Sequence, residues 1–128
     1  MISCKIIEGL VLDVDIRGFS VKTDCQPDKG GENTQPEPPE LMHASLLSCT
    51  ATFFLFFCRQ HELDPTGVDF SLDFESAEAP KRITKYDIHV KFPENFPEDQ
   101  IKRAKAYIKS CPVANTLKRG VEINYDFE

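Results

Sequence analysis

Pro38 to His61 reads PPELMHASLLSCTATFFLFFCRQH, and this stretch decides the fold. Pro38 and Pro39 open a helix, because a preset φ and a missing N–H suit the first turn, and Glu40 puts a carboxylate near the positive end of the dipole. From Ala44 to Cys58 there is no charged residue. Ser45, Ser48, Thr50 and Thr52 therefore supply no solvated stripe, only hydroxyls that bond back to helix carbonyls. A helix apolar all round is expected to be buried. A membrane span is not expected, since the run falls short of about 20 apolar residues and carries hydroxyls and flanking His43 and Arg59.

Outward from this helix, composition bounds the rest. The 128 residues suit one domain, 1–128, although a monomer of this size covers only about two thirds of its chain surface. Ten Phe and no Trp place much of the core in aromatic rings. A net charge of -6 and a pI near 5.1 argue against nucleic acid or an anionic membrane as partner, because both select clustered Lys and Arg. The leading MISCKIIEGL has no basic segment followed by an apolar core. Five cysteines, an odd number, with no pair at zinc spacing indicate neither a complete disulfide framework nor a metal site. No metal or organic cofactor is expected, and the reducing cytoplasm is the expected compartment.

Before the helix, residues 5–24 alternate as an antiparallel strand pair, with Leu10, Leu12, Val14 and Ile16 on one face and Phe19 and Val21 resuming after Arg17 and Gly18. Residues 25–37 read as loop, with Gly30 and Gly31 the places for positive φ. Cys25 in that loop reads as structural or incidental. After the helix, Val68, Phe70, Leu72 and Phe74 define one strand, and Tyr86, Ile88, Val90 and Phe92 the next, which turns His89 toward solvent. Pro97, Glu98 and Asp99 open a second helix whose apolar face carries Ile101, Ala104, Ile108 and Cys111. Pro112 then starts a short helix with Cys111 near its N-cap, and Gly120 stops it. Val121, Ile123, Tyr125 and Phe127 alternate as a closing strand. The order predicts an α+β fold, mainly antiparallel, with a long buried central helix. So small a sheet leaves that helix partly uncovered, which predicts a second copy.

Cys49 and Cys58 are nine residues apart on one helix, about 180° of rotation and about 13.5 Å of rise, so they cannot pair. Cys49 and Cys111 face inward from different helices. By pattern alone they read as core cysteines, because Cys packs as a small hydrophobe, although a helix N-terminus favours a thiolate at Cys111.

Three pieces in this order resemble the OsmC/Ohr family: GGENTQPEPPELMHASLLSCTAT from Gly30 to Thr52, the strand pair after the helix, and CPVANTLKRGVEI from Cys111 to Ile123. The resemblance covers nearly all of the chain from Phe19 onward. It implies an OsmC-like fold, an intertwined α+β homodimer with two central helices back to back. It also implies a thiol-dependent peroxidase of organic hydroperoxides in oxidative or osmotic stress defence, with Cys49 peroxidatic and Cys111 resolving. Attack by the Cys49 thiolate on ROOH would release the alcohol and leave a sulfenic acid, Cys111 would condense with it, and an external dithiol would reduce the disulfide. An apolar pocket near Phe53 and Phe54 would suit fatty or aryl hydroperoxides.

The family's peroxidases pair the reactive thiol with an N-terminal arginine and a glutamate before the helix. In this sequence the glutamate position falls at Pro39, so Glu40 is the substitute, and Arg17 is the N-terminal candidate for the cation. His43, six residues from Cys49 and about 240° round the helix, reads as a polar contact at the helix start. Cys4, Cys25 and Cys58 are expected to be dispensable for the chemistry. The alternative from another class is a dimeric binding module for a small lipophilic or electrophilic ligand, its cysteines redox-silent or sensing.

Overall fold

A computed structural model describes residues 1–128, and the chain divides into two compact units, residues 1–44 and 45–128. The first unit begins with a three-stranded antiparallel meander, β1 (Ser3–Glu8), β2 (Val11–Ile16) and β3 (Phe19–Thr23), in the order β1-β2-β3. This corrects the strand pair expected from the sequence. SCKIIE has adjacent Ile6 and Ile7 and no clean alternation, and it becomes a strand by pairing with β2, Cys4 opposite Val14 and Lys5 opposite Asp13. Arg17 and Gly18 form the two-residue β2–β3 turn with φ of 44° and 93°, the left-handed pair that matches hairpin twist.

The loop that follows is organised by two buried carboxylates. Asp24, 1% exposed, accepts the Cys25 N–H at 2.7 Å and the Thr34 N–H and hydroxyl at 3.0 and 2.7 Å. Glu37 takes the Lys29 ammonium at 2.9 Å and the Gln26 N–H at 3.2 Å. Gly30 has the expected positive φ of 92°. Gly31 is required for a different reason: a Cβ there would fall 1.9 Å from the Cys25 carbonyl oxygen.

α1 spans Pro38–Gln60, as the sequence predicts, and the boundary between the units falls within it, after Ala44. At its start Glu40 Oε1 accepts the Glu37 N–H at 2.8 Å, one arm of a capping box. In the second unit, β4 (Asp69–Glu78) and β5 (Lys81–Lys91) form an antiparallel hairpin, followed by α2 (Ile101–Ile108) and α3 (Pro112–Arg119). A single 3₁₀ turn, Glu98–Gln100, leads into α2, so the acids expected in the helix's first turn stand just before it.

The core of this unit is aromatic. Phe54 meets Phe70, Phe92 and Phe96 with ring centroids 5.6, 6.0 and 5.7 Å apart, and Phe57 meets Tyr107 at 5.5 Å. Cys58, Ala104 and Ile108 complete the buried cluster. Each Phe buried this way contributes about 1.5–3 kcal/mol relative to exposure.

Expectations for two segments change here. α1 is not covered all round: Leu46, Thr50, Phe54, Phe57 and Cys58 form one buried stripe, while Leu55 and Phe56 remain 44% and 46% exposed. By length and composition α1 is also apolar enough to cross a membrane, with a mean hydropathy of 1.7 over its best window, contrary to the expectation that the run is too short. Second, residues 121–128 form no strand. The alternation is present, and Tyr125 and Phe127 stack at 6.3 Å, but Val121, Ile123, Tyr125 and Phe127 are 66–89% exposed. A strand needs a facing row of N–H and C=O groups, and the chain pairs none with this segment.

Candidate active site

Cys111 lies past the end of α2, not on its apolar face as the spacing predicts, and caps α3, because Pro112 at the first helical position turns the chain and leaves the α3 amides open to its side chain. Cys111 Sγ accepts the Ala114 N–H at 3.5 Å and is fully buried. Cys49 lies one residue before the buried Thr50 on α1 and is partly exposed. The structure brings the two together: each sulfur lies within hydrogen-bonding reach of the other, and the Val113 N–H points to both. Burial and the Cys111 sulfur hold the Cys49 thiol above its ordinary range. Burial also acts to raise Cys111, but the hydrogen bond from Cys49 and the α3 amides outweigh it and bring that thiol below its ordinary range.

Beside this pair opens a cleft of about 330 Å³, lined by Thr50, Ile88, Val90, Phe92 and Ala114 with Lys105, Lys109 and Lys118 at its polar side. Neither cysteine lines the cleft; its lining neighbours them through Thr50, which follows Cys49 in the chain, and Ala114, whose N–H bonds Cys111. The lining corrects the pocket expected near Phe53 and Phe54: Phe54 is consumed by the core, 1% exposed. The lysines are not legible as a site in the sequence, because Lys at helical spacing is ordinarily a solvated face, and α3's amides carry no side-chain signal. The Cys-Pro start of α3 is the signal that could have found the amides.

The other sequence candidates have local partners. Glu40 caps α1, as above. The Arg17 guanidinium lies 4.9 Å from the Phe19 ring centroid, a cation–π contact at the hairpin turn. His89 is exposed, as expected, 3.2 Å from Asp73. Cys58 is 2% exposed in the core and its thiol is pushed up by burial. No three His, Cys, Asp or Glu side chains converge as metal ligands.

An antiparallel α+β fold with a dithiol between its long central helix and the capped start of α3 defines a dithiol-centred α+β protein. More particularly, the chain belongs to the OsmC-like protein family, which matches residues 30–126. Among solved structures, a Psychrobacter arcticus protein provisionally described as an osmotic stress induced and detoxification response protein is 22% identical. It superposes with a TM-score of 0.79 over 90% of this chain and 85% of its own. An OsmC-like protein of Mycoplasma pneumoniae is 15% identical, with a TM-score of 0.74 over 92% and 86%. An organic hydroperoxide resistance protein OsmC from Legionella pneumophila, 14% identical, has a TM-score of 0.62 over 92% and 89%. At these identities the likeness is one of fold. No curated protein sequence matches the chain.

Proposed function

We propose that this protein is a two-cysteine thiol peroxidase of organic hydroperoxides, serving stress defence as a cytoplasmic homodimer that draws electrons from an external dithiol. The observation that carries the reading is the meeting of Cys49 and Cys111 beside an apolar cleft. Family membership and the hydroperoxide resistance described for the Legionella protein support it.

Cys49, the more exposed of the two, attacks the peroxide oxygen, the O–O bond breaks, and the alcohol leaves a sulfenic acid behind. Cys111 attacks that sulfur, water leaves, and a disulfide forms that an external dithiol reduces. The apolar floor of Ile88, Val90 and Phe92 suits an acyl or aryl body, and the three lysines suit an anionic end.

The test is intact mass and non-reducing peptide mapping after one equivalent of an organic hydroperoxide. Loss of two hydrogens, mapped to a bond between Cys49 and Cys111, is expected within seconds. Thiols that stay reduced while the peroxide persists would overturn the peroxidase reading and leave ligand binding in the cleft as the alternative.

A further inference from the structure

The hydrogen-bond donors at the dithiol are unevenly divided. Cys111 Sγ caps α3 and is faced by the Ala114 N–H at 3.5 Å, the Val113 N–H and the Cys49 thiol. Cys49 shares only the Val113 N–H besides its contact with Cys111. The Thr50 hydroxyl also lies near Cys111 Sγ, but its proton is engaged with the Leu46 carbonyl at 2.8 Å, so it adds little to the count. None of these groups is a charged side chain. The adjoining cleft is lined by cations, Lys105 and Lys109 from α2 and its C-cap and Lys118 from α3. A sulfur that accepts from first-turn amides at a helix N-terminus is where a thiolate is best held.

Resting on the peroxidase reading of this site, we infer that Cys111 carries the resting negative charge of the pair and acts as the base that takes the proton of Cys49 as Cys49 attacks the peroxide. In the resting pair Cys49 S–H donates to Cys111 S⁻. Transfer of that proton gives Cys49 S⁻ and Cys111 S–H. The Cys49 sulfur then bonds the distal oxygen of ROOH, the O–O bond breaks, and the departing alkoxide takes the proton from Cys111 and leaves as ROH. Cys111 is again a thiolate and attacks the Cys49 sulfenic acid, expelling hydroxide. One thiol, one thiolate and ROOH become one disulfide, ROH and hydroxide, so atoms, charge and electrons balance. Cys111 thus works twice, as base before oxidation and as resolving nucleophile after it. The two uses need the same sulfur in the same place.

The conventional role makes a contrary prediction, since a purely resolving cysteine has no part in the first step. The experiment follows single-turnover consumption of an organic hydroperoxide, and with it oxidation of Cys49, by the reduced full chain at neutral pH, for wild type and Cys111→Ser, whose serine keeps an N-cap acceptor and hence the fold. Substitution is expected to slow formation of the sulfenic acid by about tenfold or more, the loss of one pKa unit of activation. A first step equally fast in both proteins overturns the inference. In parallel, Cβ resonances of isotope-labelled cysteine are followed through a pH titration of the wild type. Cys111 is expected to ionise before Cys49, and the reverse order overturns the inference even if Cys111→Ser fails to fold. Complete inertness of wild-type Cys49 to hydroperoxide would instead overturn the peroxidase reading, while the titration order still decides which sulfur holds the charge.

Discussion

Cys49 and Cys111 differ through their surroundings rather than their chemistry. Cys111 ends a peptide whose next residue is proline, and that proline opens a helix whose amides converge on its sulfur, whereas Cys49 lies mid-helix, where every backbone amide is already bonded. The three lysines of the cleft, proposed to meet an anionic end of the substrate, would act in the same local way. Substituting Lys105 and Lys109 together by Glu is expected to raise KM for an anionic acyl hydroperoxide several-fold, while a neutral aryl hydroperoxide changes little. Steady-state kinetics with the two substrates checks this, and equal effects on both would remove the lysines from recognition. Cys49 and Cys111 were found by motif. Their unequal environments were not legible, because amide donors belong to the backbone and appear only when the turn at Pro112 is folded.

Among the elements, the loop from Asp24 to Glu37 shows how a segment without periodicity becomes ordered. Its composition reads only as turn-forming, yet two buried carboxylates collect the N–H, hydroxyl and ammonium groups that hold it. The Thr34 N–H and hydroxyl hold Asp24 below its ordinary 3.8, and the Lys29 ammonium holds Glu37 below 4.5. Both carboxyls therefore bind protons more readily in the unfolded chain than in the folded one. Their contribution to stability is present above those ordinary values and is lost as pH falls through the lowered ones. Urea unfolding across that acid range is expected to show a falling midpoint, and Asp24→Asn is expected to be less stable at neutral pH but with a shallower acid limb. An unchanged limb in the variant would remove Asp24 from the linkage. α1 was legible at this level almost to the residue, since its Pro-Pro start, uncharged interior and polar end all speak locally. β1 was not, because its strand character comes from β2.

For the assembled protein, the exposed apolar groups are the informative residue of the fold. Leu55 and Phe56 on α1 and Val121, Ile123, Tyr125 and Phe127 in the tail are all exposed large apolar side chains, the kind of surface that marks an interaction site where it is contiguous. We propose that a second copy covers it. Light scattering at micromolar concentration is expected to give a dimeric mass, and Leu55→Glu is expected to shift it toward the monomer, while a monomeric wild type would sink the proposal. The helices, the β4–β5 hairpin and the cap at Cys111 could be read along the chain, because each rests on local propensity, periodicity or a contiguous motif. Which face of α1 is buried, where the cleft opens and how donors divide between the two sulfurs could not. Those depend on residues far apart in sequence, Thr50 and Phe54 with Phe92, Ile108 and Ala114, meeting in space, and no local pattern encodes such a meeting.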